Sequence, residues 1–282
     1  MMMELTNYNV FAADLRKRGI VYAAEHTAAL GFHSVEWIDL WNARKPLPDT
    51  LDVDEACRVF DKYGLKAACY SMAVPLHRQP EENLGITLRH ASLAAKLGSP
   101  FFHHTVTLYQ VVREEEIPFS DMLARVLPSL TVIARRCEEL GMTVLYEPQG
   151  AYFNGKEPLS LLLRTMRAEG CDNVGFCADV GNSYEVDEPA FEIFDCLSSD
   201  IRHVHLKDYQ IFDTLPEDHP YDYTTRAGKY MYECEIGQGN VDIGRCFDVL
   251  RRIDYRGAFS FETYGDDASI KRAISYVRSL WQ

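Results

Sequence analysis

Short β-rich apolar runs alternate with longer amphipathic stretches along nearly the whole chain. The runs fall at about 8–12, 33–38, 66–71, 100–105, 142–147, 174–178, 201–206 and 257–262. The amphipathic stretches fall at about 14–30, 52–63, 82–97, 118–140, 157–169, 188–197, 243–253 and 266–281. Strand-length runs alternating with helix-length stretches predict a parallel α/β barrel. The first run is the shortest and most polar. Glycine follows a helix pattern and precedes a strand pattern at Gly31, Gly64, Gly98 and Gly141, where a left-handed helix end is expected.

Four of the runs finish on a side chain that can bind a metal: Val144-Leu145-Tyr146-Glu147, Val174 to Asp179, Ile201 to His205, and Ala258 to Glu262. Charge rarely ends a core strand, because removing it from water is costly. On successive strands of a parallel barrel, such residues would meet at one open end. Glu147, Asp179, His205 and Glu262 offer three carboxylates and one imidazole. An oxygen-dominated set favours Mn²⁺, Mg²⁺ or Co²⁺, with Zn²⁺ also compatible. For any one of them alone, helix capping or an arginine pair is an equally good reading.

Length and composition narrow the picture. The 282 residues suit one barrel, which commonly needs roughly 250. No linker or change of composition divides the chain, so one domain over 1–282 is expected. Net charge is −13, and a phosphate backbone is then a poor partner. No apolar run suits a membrane span, and the N-terminus lacks an apolar signal core. The eight cysteines form no C-x-x-C pair and lie mostly in apolar patterns, which fits free thiols in the cytoplasm. From Tyr209 to about 236 the chain shows no helix pattern and carries several tyrosines. A connection this long suits a cover over the site, or a contact in an oligomer.

With Leu145-Tyr146-Glu147-Pro148, Ala178-Asp179-Val180-Gly181-Asn182, His203-Val204-His205-Leu206-Lys207-Asp208, Gly237-Gln238-Gly239-Asn240-Val241-Asp242 and Phe261-Glu262-Thr263, the chain resembles the sugar phosphate isomerase/epimerase superfamily of xylose isomerase-like TIM barrels. The resemblance covers nearly the whole chain. It implies a (β/α)8 barrel and one divalent ion, Mn²⁺ first, held by Glu147, Asp179, His205 and Glu262. It also implies a small sugar or cyclitol as substrate, and a homo-oligomer. In the ketose 3-epimerases of that superfamily the matching glutamates move protons through a metal-stabilised enediolate, so Glu147 and Glu262 are the catalytic candidates. The chain departs from the pattern at Asn182, where many relatives carry a histidine that touches substrate. Asparagine can bind a hydroxyl but cannot shuttle a proton.

Other residues are candidates for the mouth. Glu36 ends the second run and could orient His205 or bind hydroxyls, helix capping being the bland reading. Trp37 or Trp41 could stack on a sugar, or simply pack in the core. Of His103 and His104 one should point inward, because strand side chains alternate. Tyr70 and Ser71 end the third run. Lys207 follows His205 by two and could bind a substrate oxygen, or pair with Asp208. Gly237-Gln238-Gly239 lacks the third glycine of a dinucleotide loop and reads as a turn, with Asp242 capping the next helix. No basic cluster is dedicated to phosphate, and Arg226 and Lys229 in the long connection are the candidates for meeting one.

Four functions compete. The first is a metal-dependent sugar isomerase or epimerase. The second is a lyase of the inosose dehydratase or keto-sugar type. The third is an AP endonuclease-like nuclease, which needs further His and Asp ligands. The fourth is a barrel that binds sugar without catalysis.

Overall fold

The computed structural model describes residues 3–38, 52–107, 117–215 and 222–282. In chain order the strands are β1 (Glu4–Asn7), β2 (Ser34–Ile38), β3 (Ala67–Met72), β4 (Phe101–His104), β5 (Thr143–Tyr146), β6 (Val174–Asp179), β7 (Ile201–Leu206), β8 (Asp208–Phe212), β9 (Tyr223–Thr224), β10 (Tyr230–Cys234) and β11 (Ala258–Phe261). The strands β1 to β7 and β11 close a parallel barrel in the order β1-β11-β7-β6-β5-β4-β3-β2. The helices are α1 (Asn9–Arg18), α2 (Ile20–Ala29), α3 (Val53–Tyr63), α4 (Pro80–Lys96), α5 (Phe119–Glu139), α6 (Gly150–Phe153), α7 (Lys156–Ala168), α8 (Ala190–Cys196), α9 (Ile243–Arg252) and α10 (Asp267–Leu280). The closed parallel barrel and its helices form a (β/α)8 TIM barrel.

Three expectations are corrected. The first strand is Glu4–Asn7, not 8–12. The apolar residues that follow begin α1, where Asn7 Oδ1 accepts the amide of Phe11 at 3.1 Å. The stretch 14–30 is not one helix but two, broken at Gly19, whose φ of 84° and ψ of 170° lie outside helical space. The described part of the connection after Tyr209 carries strands: β8, β10 and β9 form an antiparallel sheet.

Local signals explain the helix ends. Asp52, Asp242 and Asp266 each accept an amide from the first turn of α3, α9 and α10. Such caps contribute about 1 kcal/mol each. Gly31, Gly64, Gly98 and Gly141 take φ between 66° and 88° at the helix-to-strand turns.

Between strands and helices lies a layer of large apolar side chains. Trp37 is buried against Phe11 and Phe60, which is the core role and not a sugar-stacking one. Trp41 lies outside the described residues. Burying each such side chain contributes roughly 1.5–3 kcal/mol. The eight cysteines are unpaired. Among the described residues no helix is long and apolar enough to cross a membrane.

Candidate metal centre

Alternation along the strands decides what enters the barrel. Contacts between Glu36 on β2 and His203 and His205 on β7 span two intervening strands, so these side chains meet inside. Cys69, Leu145 and Cys177, with Phe101 against them, form a small apolar layer of their own. A polar layer holds Glu36, Ser71, His103, His203 and Ser260. The third layer holds Glu147, Asp179, His205, Lys207 and Glu262, at or just past the C-terminal ends of β5, β6, β7 and β11.

One ligand atom from each of Glu147, Asp179, His205 and Glu262 lies within 4.8 Å of the others. His205 Nδ1 is 2.9 Å from Glu147 Oε1, 3.3 Å from Glu262 Oε2 and 4.0 Å from Asp179 Oδ2. The first three residues are buried, and the Glu262 side chain is 16% exposed.

The local sequence around Asp179 aims its side chain. Oδ1 accepts the amides of Gly181 and Asn182 at 2.7 and 2.6 Å, leaving Oδ2 for the cluster. Gly181 is required there: a Cβ would come within 2.7 Å of both Lys207 Cγ and the Tyr209 ring. The ladder shifts register between Phe176 and Cys177 on β6 and between Val35 and Glu36 on β2. Such irregularities re-aim side chains beside sites.

The electrostatics call for a cation. Burial pushes the Asp179 carboxyl up to about 7, and Glu147 and Glu262 add to this while Lys207 opposes it. Burial also disfavours the Glu147 carboxylate, but His205 and His103 hold it well below the usual range. Burial disfavours a charged His205, yet its acidic surroundings raise it well above an ordinary histidine. Asp179 Oδ2 and Glu262 Oε2 are buried and face only the charged groups of the cluster itself, His205 and Lys207. Three carboxylates and an imidazole nitrogen converging on one point fit a single divalent ion.

Lys207 enters the same cluster. Its Nζ is 2.9 Å from Glu262 Oε2, 3.3 Å from Asp179 Oδ2 and 2.9 Å from Asn182 Oδ1. It does not pair with Asp208, which accepts the amides of Tyr209, Gly237 and Gly239 at 2.9 Å each. The Gly-Gln-Gly turn is thus shaped around a carboxylate of the chain itself. A Cβ on Gly239 would collide with it at 2.0 Å.

The remaining candidates divide. Glu36 and His103 join the interior network. His104 and Tyr70 do not: each neighbours an inward residue, so alternation turns it out toward the helices. His104 sits against Phe102 and Tyr146, and Tyr70 OH contacts His90 Nδ1 at 2.8 Å. Their expected place at the mouth is therefore corrected. Lys229 pairs with Asp213 at 3.5 Å.

The sequence reading missed Tyr8, Ser260, Glu185 and Glu233, and left His203 without a role. Tyr8 lies beside His205, ring centroids 5.2 Å apart. Ser260 and His203 stand two before Glu262 and His205, so alternation alone could have found them. Burial pushes Glu185 and Glu233 up to about 7 each, and both sense the charge of Lys207. No motif marks either one.

Residues 24–280 match the family model described as xylose isomerase-like TIM barrel. No curated protein matches the sequence. Among solved structures, an L-ribulose 3-epimerase aligns over 99% of this chain and 95% of its own, at TM-score 0.76 and 16% identity. The IOLI protein with a bound zinc atom aligns over 99% and 98%, at 0.74 and 16%. The probable 3-DHS dehydratase AsbF from Bacillus anthracis aligns over 98% and 99%, at 0.72 and 15%. Likeness at these identities concerns the fold.

Proposed function

Since this chain belongs to the xylose isomerase-like TIM barrel family, we propose that it is a divalent-metal-dependent isomerase or epimerase of a small sugar. The observation that carries the proposal is the meeting of Glu147, Asp179, His205 and Glu262 within 4.8 Å at the barrel mouth. These four would hold the ion, Mn²⁺ first, with Mg²⁺, Co²⁺ and Zn²⁺ as competitors. When bound, the ion would offset negative charge developing on the substrate's carbonyl oxygen.

Glu147 and Glu262 stand just past β5 and β11, on either side of His205. One would take the proton next to the carbonyl, and the other, itself protonated, would give a proton of its own to the opposite face. Lys207, 2.9 Å from Glu262, adds a positive charge beside the developing anion. Asn182 would present its amide to a hydroxyl. The sheet of β8, β10 and β9 would cover the mouth, bringing Glu233 and Tyr223 toward Lys207. We place the protein in the cytoplasm, where its eight unpaired thiols are stable, and expect a homo-oligomer from the family alone.

A second reading is a lyase of the inosose dehydratase or keto-sugar type. It is favoured by the buried Lys207, whose ammonium could protonate a leaving hydroxide. A nuclease would meet a net charge of −13.

The test is a panel of ketoses and inososes in D₂O with Mn²⁺, followed by quenching and proton spectra. Deuterium entering beside the carbonyl is expected under either reading. A new enone absorbance marks the lyase; a changed hydroxyl configuration marks the epimerase. A protein that takes up no divalent ion and exchanges no proton would refute both.

A further inference from the structure

Glu36 lies one layer beneath the four donors and is fully buried. Its two oxygens face four partners. Ser71 Oγ bonds Oε1, and Ser260 Oγ bonds Oε2. His203 Nε2 is 2.8 Å from Oε2. His205 Nε2 is 3.0 and 3.1 Å from the two oxygens. A carboxylate only accepts, so each partner must turn a hydrogen toward it.

That requirement propagates. With its hydrogen on Glu36, Ser71 Oγ can only accept from His103 Nδ1, 3.0 Å away. In the neutral rings the hydrogen then sits on Nε2 of His203 and His205, and on Nδ1 of His103. Two ring nitrogens face the metal centre. One is His205 Nδ1, 2.9 Å from Glu147 Oε1; without an ion it too turns a hydrogen to a carboxylate, and that is the hydrogen an ion displaces, because the one on Nε2 is held by Glu36. The other is His103 Nε2, which bears the lone pair of the neutral ring, lies 3.4 Å from Glu147 Oε2, is buried, and makes no hydrogen bond among the described residues.

We infer that Glu36 is a positioning residue that fixes the tautomers of His205 and His103, so that one imidazole lone pair is presented to the divalent ion and a second to a substrate hydroxyl. The naming of ion and substrate rests on the function proposed above; the tautomers do not. Partners that orient a metal-binding histidine in this way typically contribute 10- to 100-fold to metal affinity.

The test is titration with Mn²⁺ alone, followed by the electron paramagnetic resonance of the free ion. Glu36→Gln places an amide NH₂ against His205 Nε2 or its neighbours, driving the ring hydrogen to Nδ1, where it blocks the ion. A loss of 10- to 100-fold in affinity is expected. Ser260→Ala removes one partner but leaves the carboxylate, and should bind close to wild type. Wild-type affinity in Glu36→Gln, or equal losses in both variants, would overturn the inference. If Glu36→Gln does not melt cooperatively, long-range ¹H–¹⁵N spectra of the metal-free wild type decide it. Hydrogen on Nδ1 of His103 and Nε2 of His203 supports the inference; the opposite tautomer in either ring overturns it. A wild type that binds no Mn²⁺ would sink the proposed function while leaving the tautomer result to judge Glu36.

Discussion

The Lys207 ammonium is seated 2.9 Å from the Glu262 carboxylate, inside the cluster that would bind the ion. A lysine there repels a divalent cation while stabilising an anionic substrate. The two effects have opposite signs, so they can be separated. Lys207→Met should bind Mn²⁺ at least as tightly as wild type, because a like charge has gone. Turnover should fall roughly 100-fold or more, the usual loss of one preorganised electrostatic donor. Titration of the ion and kcat on the same preparation check this. Equal losses in both would place Lys207 in the scaffold instead.

Repulsion among Glu147, Asp179 and Glu262 should make the metal-free protein less stable than its fold allows. At free ion 100-fold above Kd, stabilisation is about 2.7 kcal/mol, which raises the melting temperature by several degrees. Asp179→Asn keeps an oxygen to accept the amides of Gly181 and Asn182 but removes one charge. In chelator it should melt no lower than wild type, and adding Mn²⁺ should shift it little. Calorimetry with and without chelator decides the point. A full ion-dependent rise in Asp179→Asn would remove Asp179 from the ligand set.

How much of this was legible in the sequence follows from what each signal encodes. Glu147, Asp179, His205 and Glu262 stood out because a charged residue ending an apolar strand has few cheap explanations. His103 and His104 did not separate, since adjacent histidines carry no phase; the partners Ser71 and Glu147 supply it. Tyr70 was drawn to the mouth by position alone, while the inward place belongs to Ser71. Residues 8–12 read as a strand because a short apolar run has no period long enough to distinguish the two elements. The strands β8, β9 and β10 were hidden because they are largely half-exposed and pack few apolar residues, with Met231 the buried exception on β10. Glu185 and Glu233 acquire their environment only from tertiary packing.

Asp187 is one anchor of the sheet beside the mouth. Asp187, at φ 60°, accepts Thr225 Oγ1 at 2.8 Å and the Ala227 amide at 2.7 Å. Arg226 N adds a bond to Glu185 O at 2.8 Å. Asp187→Gly keeps the left-handed backbone accessible and deletes both side-chain bonds. Amide exchange over Thr225 to Gly228 should accelerate, with the barrel strands unchanged. Exchange measured by mass spectrometry tests this, and unchanged protection over that turn would show the anchor to be dispensable.

The barrel's first and last segments are joined through one imidazole. His26 on α2 contacts Asp14 Oδ2 on α1 at 2.7 Å and Asp267 Oδ1 on α10 at 3.0 Å. Partial burial disfavours its charge, but the two aspartates outweigh that and raise its pKa. A folded-state value above the unfolded one means protonation stabilises the fold. The contribution is complete below about 6.5, the unfolded value, and is lost as pH rises through the folded value. Asp267 is exposed, so solvent screening keeps the effect to about 1 kcal/mol or less. His26→Gln should therefore lower stability more at pH 5.5 than at pH 8.5. Urea unfolding at both values measures the difference. An equal loss at the two would mean that His26 acts by packing and not by charge.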